Sequence, residues 1–439
     1  MSGIAEILLS QGFRISGSDM SRSETTDLLQ KLGVHITIGH SADNVHGADV
    51  VVYSSAVNPA TNVETVAAHT AGVPVIRRAE MLADVARLKY CLAVSGTHGK
   101  TTTTSMCGLV LMAGGLDPTV IVGGRLRGLG GSNARLGHGQ WTVLEADEYD
   151  RSFLQLSPTI AIVTNVEAEH LDIYRDFDDV RDTFVQFLNR LPFYGLIVAC
   201  TDDFGVRSVV SRINKPMVTY GIDEPADVQA VDCVFSGRTS RFNVLYKGEN
   251  KGEVQLDIPG KHNVRNALAA IAVALRLGVS MSVIQETLKD FHGVLRRFEI
   301  VGEKNGVMVV QDYAHHQTEV RATLESARAG WNKRIIAVFQ PHTYTRTRDF
   351  FAEFGASFSD ADCVIVTDVY AAREKAIPGI SGETIVDALK ANGHPSVYYV
   401  PNVKDVPAKV CEIVSSNDMV VLLGAGDVYA AASPIINSL

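Results

Sequence analysis

The sequence has few of the residues that build zinc sites and disulfide frameworks. Its six cysteines are scattered over 439 residues, and no two of them form a C-x-x-C pair. This spacing argues against a zinc ribbon and against a disulfide scaffold. We therefore expect reduced, mostly buried thiols of the kind found in cytosolic proteins. The cysteines are Cys91, Cys107, Cys200, Cys233, Cys363 and Cys411.

Long apolar runs and an excess of positive charge are also missing. No stretch approaches the roughly 20 apolar residues that cross a bilayer, and the amino-terminal segment lacks the basic start of a signal peptide. A net charge of −9 argues against a broad nucleic-acid surface. The sequence predicts a cytoplasmic protein with no membrane insertion and no nucleic-acid partner. A hydrophobic content of 46% is enough for two or three domain cores.

A glycine-rich loop lies between a predicted strand at 90–94 and a predicted helix at 103–112. In such a loop backbone N–H groups surround phosphate oxygens, a lysine contacts the terminal phosphates and a hydroxyl binds Mg²⁺. The pattern G-x-x-x-x-G-K-[ST] fails only at Val94, and the alternative is a glycine turn with a chance Lys-Thr pair. The predicted nucleotide-binding residues are Gly96, Thr97, His98, Gly99, Lys100, Thr101 and Thr102. We expect Lys100 to be exposed, so that its removal abolishes turnover without unfolding the protein.

Short β-rich runs alternate with helical segments almost throughout, which predicts an α/β fold with mainly parallel sheets. We expect three domains, at 1–87, 88–296 and 297–439. Polar or glycine-rich segments repeatedly follow the predicted strands. Ligands bind beyond the carboxyl ends of parallel strands, so these segments are the expected site.

Acidic side chains follow two further predicted strands. Glu145 comes directly after 141–144, where a Walker-B-type carboxylate would lie. Residues 145–148 hold three carboxylates, which is costly unless a cation or solvent is near. His170 follows a later strand end among carboxylates, and we expect it to bind a metal ion or position a substrate. The alternatives are a solvated acidic turn and a structural histidine.

Several motifs together resemble the Mur ligase family. They are residues 96–101, residues 145–148, Asn165 with residues 170–172, residues 260–263 with Asn266, and residues 296–299. Residues 312–316, 339–347, 368–374 and 424–427 resemble its alanine-adding branch. This resemblance implies an ATP-dependent ligase of cytoplasmic peptidoglycan synthesis. It would join L-alanine to the lactyl carboxylate of UDP-N-acetylmuramate through an acyl phosphate.

The resemblance also implies roles for single residues and domains. The first domain would be Rossmann-like and bind the UDP-sugar, the central one would be a P-loop ATPase-like domain, and the third, Rossmann-like, would receive the amino acid and close over ATP. Lys100 would contact the β- and γ-phosphates, Thr101 would bind a first Mg²⁺, and Glu145 with His170 would bind a second. Further nucleotide contacts would be Asn263, Asn266, Arg297 and Asp312. Substrate contacts would be Asp19, His40, Ser54, His316, His342, Arg346 and Arg373, with Arg346 and His316 joining Lys100, Glu145 and His170 in catalysis.

The sequence departs from the family pattern at three places. Several members carry a carbamylated lysine after the His-Leu-Asp segment, but residues 171–190 contain no lysine, as in the alanine-adding branch. Thr343 stands where many alanine-adding members have arginine. The first domain begins after the family's first strand and diphosphate-binding glycine turn, so we expect its sheet to lack that strand. Two alternatives remain: a recycling ligase that attaches a whole tripeptide, and a nucleotide-binding remnant inactivated by that loss.

Overall fold

The computed structural model describes residues 1–54, 56–124, 133–170 and 173–439. Leu171 and Asp172, two residues of the motif after His170, lie outside the described residues. Helices and strands alternate along the chain, which confirms the predicted α/β fold. Among the described residues, no helix is both long enough and apolar enough to cross a bilayer.

The helices lie between the strands along most of the chain. They are α1 (Ser2–Ser10), α2 (Glu24–Lys31), α3 (Val63–Thr70), α4 (Arg78–Arg87), α5 (Lys100–Ala113), α6 (Phe177–Asn189), α7 (Phe204–Val210), α8 (Lys261–Arg276), α9 (Met281–Lys289), α10 (Gln317–Gly330), α11 (Tyr344–Gly355), α12 (Gly382–Ala391), α13 (Val406–Ile413) and α14 (Ala432–Ser438). Short 3₁₀ segments occur at Ala42–Val45, Tyr149–Gln155, Val403–Asp405 and Val428–Ala431.

Most strands are three to six residues long, and the longest lie in the middle of the chain. They are β1 (Ser16–Asp19), β2 (His35–Ile38), β3 (Val51–Tyr53), β4 (Val75–Arg77), β5 (Tyr90–Ser95), β6 (Thr119–Ile121), β7 (Ala134–Arg135), β8 (Trp141–Glu145), β9 (Ile160–Val163), β10 (Leu196–Cys200), β11 (Met217–Gly221), β12 (Val228–Ser236), β13 (Thr239–Tyr246), β14 (Glu249–Leu256), β15 (Glu299–Lys304), β16 (Val307–Asp312), β17 (Arg334–Phe339), β18 (Cys363–Val366), β19 (Val397–Tyr399) and β20 (Asp418–Leu423).

By their contacts the described residues form two compact units. Unit 1 comprises Met1–Gln229, Leu245–Glu249 and Arg265–Thr287, and unit 2 comprises Ala230–Val244, Asn250–Val264 and Leu288–Leu439. All six cysteines are free, and Cys91, Cys107, Cys200 and Cys363 are buried. The expectation of mostly buried, unpaired thiols is therefore confirmed.

The first part of unit 1 holds two small parallel sheets. β1 pairs with β2, and β3 pairs with β4. Their residues are exposed or half-buried. Asp19 ends β1 opposite Ile38 of β2, so the segments after these two strands leave the sheet at one edge.

The main sheet of unit 1 is mostly parallel, with β5 between β8 and β9. On one side β8 pairs with β6, and on the other β10 and β11 follow β9. β7 pairs antiparallel with β6. The strands are apolar without alternation because both faces are covered, as in other parallel sheets. One covering layer stacks Phe153 on Phe187, with their ring centroids 4.6 Å apart.

Unit 2 contains a six-stranded sheet in the order β15-β16-β20-β17-β18-β19. Only β15 runs antiparallel to its neighbour, β16. Helices cover both faces of the sheet, and each face has its own apolar cluster. The carboxyl ends of β16, β17, β18 and β20 consequently lie along one edge of this sheet.

Candidate active site

The glycine loop connects the central strand β5 to helix α5, which begins at Lys100. Gly96 has φ +130°, and a Cβ there would lie 2.1 Å from the Thr164 hydroxyl oxygen. Gly99 has φ +80°, and a Cβ there would lie 2.6 Å from Oδ1 of Asn266. Both positions require glycine for backbone conformation and for space. The first N–H groups of α5 have no partner within the helix, which suits an anionic ligand at the loop.

The segment after β9 fixes the shape of the loop. Asn165 accepts the His98 N–H through Oδ1 at 2.7 Å, and its Nδ2 donates to the His98 carbonyl at 3.2 Å. Thr164 donates its hydroxyl to the same carbonyl at 2.6 Å. The Thr97 hydroxyl accepts the Glu167 N–H at 3.0 Å. Neighbouring parallel strands therefore hold the loop in one conformation.

Lys100 is buried against a carboxylate. Its Nζ donates to Glu148 at 2.7 and 3.0 Å and to the carbonyls of Gly96 and Thr97 at 2.7 and 3.2 Å. The two side chains are only 15% and 3% exposed. Burial alone would lower the pKa of Lys100, but Glu148 and Asp147 raise it above its ordinary value. The prediction that Lys100 is exposed is wrong, because the Glu148 carboxylate holds it inside the loop.

Thr101 and Glu145 lie side by side, although the resemblance assigned them to two different magnesium ions. The Thr101 hydroxyl donates to Oε2 of Glu145 at 3.1 Å, and the Gly123 N–H donates to Oε1. Burial raises the pKa of Glu145 above its ordinary value, although the Gly123 N–H and Lys100 act against it. A hydroxyl and a carboxylate are hard oxygen donors of the kind that Mg²⁺ takes, so the pair fits one divalent ion.

His170 lies with Glu148 and Glu169. One ligand atom from each of the three lies within 4.8 Å of the others, and Nε2 of His170 is 3.6 Å from Oε1 of Glu148. Burial alone would lower the pKa of His170, but Glu148 and Glu169 raise it above its ordinary value. Two carboxylates and an imidazole can hold a divalent ion, so this group fits a second metal site. The sequence suggested Glu145 beside His170, whereas the structure groups His170 with Glu148.

The expected adenine contacts lie on helix α8, three residues apart. Asn266 accepts the Thr103 hydroxyl at 3.2 Å and closes over Gly99. Asn263 donates to the Pro259 carbonyl at 2.7 Å. Both asparagines and Thr102 are buried. In unit 1, Asn266 thus lies directly at the glycine loop.

In unit 2, Asp312 ends β16 and holds its surroundings in place. Its carboxylate accepts the N–H groups of Phe298 at 2.7 Å and Ala314 at 2.8 Å. Burial raises its pKa above the ordinary value, against the neighbouring charge of Arg297. His316 precedes α10 and is fully buried.

Glu319, in the first turn of α10, connects several of the expected site residues. Its carboxylate lies 3.5 Å from Nη1 of Arg297 and 3.1 Å from Nδ1 of His315. It also accepts the N–H groups of His315 and His316. The arginine side chain lies over the Tyr313 ring, 5.3 Å from its centroid. The half-buried Glu319 carboxylate thus holds both the first turn of α10 and the Arg297 side chain in place.

His342 and Arg346 lie together after β17. Nη1 of Arg346 is 3.4 Å from Nδ1 of His342, whose ring stacks on Tyr370 with centroids 5.7 Å apart. Burial, helped by His315 and Arg346, lowers the pKa of His342 to about 4.

Two further residues of interest, Thr343 and Arg373, lie near this pair in the sequence or in the adjacent loop. Thr343 precedes α11 with φ +67°, which is unusual for a β-branched residue, and donates its N–H to the Tyr370 carbonyl at 2.9 Å. Arg373 is exposed in the loop after β18. The structure thus brings His342 and Arg346 together and leaves Arg373 at the surface.

The expected uridine side lies on the small sheets of unit 1. Asp19 is exposed at the end of β1 and accepts the Ser21 N–H at 3.2 Å. His40 follows β2 and contacts Ser18 at 3.0 Å. Ser54 follows β3 on the other small sheet and accepts the Val57 N–H through its carbonyl at 3.0 Å.

Sequence reasoning did not single out Glu148 or Glu319. Glu148 belongs to the predicted acidic run, but nothing in the sequence shows which of its carboxylates points inward. Glu319 is the third residue after His316, the N-cap of α10. A glutamate at this spacing is typical of a capping box, so the sequence could have indicated that Glu319 accepts the backbone N–H of His316.

Three family models match consecutive parts of the chain. The Mur ligase family catalytic domain matches residues 1–90, the Mur ligase middle domain matches residues 94–274, and the Mur ligase glutamate ligase domain matches residues 296–426. Together they include the glycine loop, the acidic run and the edge of the unit 2 sheet.

Similar proteins cover the whole chain. UDP-N-acetylmuramate–L-alanine ligase from Geotalea uraniireducens is 49% identical, over all of this chain and 95% of the relative. The enzyme of that name from Salinibacter ruber is 47% identical, over all of this chain and 92% of the relative. The crystal structure of UDP-N-acetylmuramate-alanine ligase from Thermotoga maritima has a TM-score of 0.82 at 31% identity, over 100% and 96% of the two chains. A murein peptide ligase from Psychrobacter arcticus has a TM-score of 0.72 at 25% identity, again over 100% and 96%. The chain belongs to the Mur ligase family.

Proposed function

We propose that this chain joins L-alanine to UDP-N-acetylmuramate with ATP as the energy source, releasing ADP and phosphate. The observation that carries this proposal is the identity of 47–49% to full-length alanine ligases. The buried phosphate loop and its carboxylates support the ATP half of the reaction.

The reaction requires two anions to approach each other. The lactyl carboxylate takes the γ-phosphoryl group to become an acyl phosphate, and ADP leaves. The amine of L-alanine then attacks the acyl carbon, phosphate leaves, and the amine loses its proton as the amide forms. The positive end of α5 and the Lys100 ammonium reduce the repulsion at the first step, and Glu148 keeps that ammonium oriented.

Magnesium is the metal we propose for this site. A divalent ion supplies charge neutralisation between the phosphates and the carboxylate. Thr101 with Glu145 would hold one ion, and His170 would hold a second with Glu148 and Glu169. This proposal keeps the three predicted ligands, moves Glu145 from the second ion to the first, and adds Glu148 and Glu169 as ligands of the second.

The remaining assignments of substrate and nucleotide contacts are also proposals. Asn263, Asn266, Arg297 and Asp312 would bind the nucleotide. Asp19, His40 and Ser54 would bind the uridine side, and His316, His342, Arg346 and Arg373 the muramyl and alanine side. Domain limits at 1–87, 88–296 and 297–439 are supported by the ranges of the three matching family models.

Phosphate release in the presence of UDP-N-acetylmuramate, ATP and Mg²⁺ tests the function. L-alanine and the tripeptide L-alanyl-γ-D-glutamyl-meso-diaminopimelate are offered separately at equal concentration. We expect release with L-alanine at least about tenfold faster than with the tripeptide. A preference for the tripeptide would identify a recycling ligase, and ATP binding without release would identify an inactive nucleotide-binding protein.

A matched pair of variants links the activity to the proposed site. Glu145→Gln removes one charge at the metal pair, whereas Asp49→Asn removes one from an exposed position. We expect Glu145→Gln to raise the Mg²⁺ concentration for half-maximal rate and to leave the KM for UDP-N-acetylmuramate nearly unchanged. Equal effects of the two variants would contradict the metal assignment.

A further inference from the structure

A half-buried carboxylate in the first part of unit 1 has no role in the reaction as described so far. Glu64, in the first turn of α3, is 12% exposed. It accepts the Ser18 hydroxyl at 2.7 Å and the Asn44 amide at 2.7 Å. Nδ1 of His40 lies 3.0 Å from its Oε2, and the Ser41 N–H reaches its Oε1 at 3.5 Å. Glu64 therefore connects the end of β1 with the segment that follows β2.

These contacts occupy the hydrogen-bond acceptor positions of the Glu64 carboxylate and so exclude a direct contact between Glu64 and a ligand. An ionised carboxylate offers about four acceptor positions, and four donors face this one. Burial alone would raise the pKa of Glu64, but the donors from Asn44, Ser18 and His40 lower it below its ordinary value. Glu64 is thus an ionised acceptor near neutral pH, and any effect on a ligand passes through its neighbours.

Among the neighbours of Glu64, His40 is the one whose second ring nitrogen, Nε2, can contact a ligand. A carboxylate can only accept, so Nδ1 of His40 carries a proton directed at Glu64. Ser18 gives its own proton to Glu64, so its oxygen also acts as an acceptor toward Nδ1, at 3.0 Å. In the neutral imidazole, Nε2 is then left as an acceptor. The His40 side chain is 23% exposed, so a ligand can reach it.

We propose that Glu64 is a positioning residue of the sugar-nucleotide site, which fixes His40 so that Nε2 accepts the N3–H of uracil and discriminates against cytosine. Uracil carries a hydrogen on N3, whereas N3 of cytosine is itself an acceptor and would face the Nε2 lone pair. A site built to accept one hydrogen bond rejects a base that cannot donate it. This inference rests on the proposed function for the identity of the sugar nucleotide.

The first test compares uridine diphosphate with cytidine diphosphate by calorimetric binding to the full chain. We expect the unchanged protein to bind uridine diphosphate at least about tenfold more tightly, since cytosine leaves the Nε2 acceptor of His40 without a donor. Glu64→Ala removes the acceptor, frees both tautomers of His40 and should abolish most of this preference. Retention of the full preference in Glu64→Ala would overturn the proposal, as would an equal loss of affinity for both nucleotides.

Glu64→Gln separates the effect of the His40 tautomer from the effect of the negative charge on Glu64. The glutamine oxygen can still accept from Nδ1 of His40, while Asn44 turns its own amide to accept from the new nitrogen. We therefore expect Glu64→Gln to keep most of the preference that Glu64→Ala loses. Loss of the preference in both variants would overturn the tautomer argument. Asp49→Asn, which removes an exposed acid from the same region, should change neither affinity.

Kinetics distinguish positioning from a general loss of structure. In Glu64→Ala the KM for UDP-N-acetylmuramate should rise about tenfold, while kcat and the KM for ATP stay within about twofold. A parallel fall of all three parameters would overturn the positioning role. If the unchanged protein releases no phosphate with L-alanine, the proposed function fails. The binding comparison still decides whether Glu64 controls base preference.

Discussion

The carboxyl-terminal edges of the two large sheets each hold a cation, but in different surroundings. At the edge of the unit 1 sheet Lys100 lies against an acid, Glu148, at 2.7 Å. At the edge of the unit 2 sheet Arg296 instead lies on aromatic rings. The Arg296 guanidinium is 4.9 Å from the Tyr313 centroid and 4.4 Å from that of Tyr429.

The difference follows from what each edge is proposed to bind. Clustered carboxylates suit divalent ions, and a lysine among them stays oriented until a polyanion arrives. Aromatic rings hold an arginine without neutralising it, so its charge stays available to a carboxylate ligand. One architecture, polar segments after parallel strands, therefore supports both kinds of site.

The largest expected effect is at the acidic edge. Lys100→Met should reduce phosphate release at least about 1,000-fold, because the phosphate contact is lost. It should also lower the free energy of unfolding by about 3 kcal/mol, because Glu148 is left buried without its partner. Unfolding in urea is followed by the fluorescence of Trp141, in a Trp331→Phe background.

A double variant supplies the control. Lys100→Met with Glu148→Gln removes both charges, so stability should recover while turnover stays absent. If Lys100→Met alone unfolds at the same urea concentration as the unchanged protein, the ion pair is not the buried contact that the structure shows.

The sequence predicted the parts of these edges that local pattern determines. The apolar run of β5, the two glycines and the helix after them are adjacent in the chain, and the order of strand, loop and helix is confirmed, although α5 begins at Lys100, three residues before its predicted start. The positions of Glu145 and Thr164 after neighbouring strands follow from the parallel pairing of β5 with β8 and β9. The cysteine pattern was also sufficient to predict free thiols.

The burial of Lys100 could not be predicted in this way. Its partner Glu148 is 48 residues away, and the contact depends on how the chain turns after β8. The sequence shows three acids in that turn but not that Glu148 is 3% exposed while Asp147 is 44% exposed. The contacts of Glu64 could not be predicted either, because its donors come from two distant segments, Ser18 on β1 and residues 40–44 after β2.

At the cationic edge the expected effect is smaller and depends on pH. The pKa of His342 is about 4 in the folded chain, against 6.5 as its ordinary value. The unfolded chain therefore takes up this proton first, and the stability present above pH 6.5 is lost as the pH falls toward 4. For a partly buried group we expect a loss of about 2 kcal/mol across this range.

His342→Gln isolates this contribution. Its unfolding free energy should fall less steeply between pH 6.5 and 4 than that of the unchanged protein, measured by Trp331 fluorescence in a Trp141→Phe background. All other groups titrate in both proteins, so the difference in slope belongs to His342. Parallel curves would show that the imidazole takes up its proton equally well in the folded chain.

The stacked arginine should contribute less than the buried histidine. Arg296 donates to the carbonyls of Gly424 and Gly426 at 3.2 and 3.3 Å besides its two aromatic contacts. Arg296→Lys keeps the charge but loses the planar stacking and the forked donors, so we expect a loss of about 1 kcal/mol. Arg321→Lys, at an exposed position, is the control in the same urea experiment. A similar loss of unfolding free energy in Arg296→Lys and Arg321→Lys would mean that the rings do not stabilise Arg296.

The smallest effect is expected from an ion pair that resembles Lys100–Glu148 in chemistry but not in burial. Arg77 lies 3.3 Å from Asp150, with the side chains 58% and 44% exposed. Water screens such a pair, so the coupling energy in a double-mutant cycle of Arg77→Ala and Asp150→Ala should be below about 0.5 kcal/mol and should fall with added salt. The cycle of Lys100 and Glu148 should give several times more under the same conditions. Equal couplings would mean that burial does not explain why the acidic edge depends on its ion pairs.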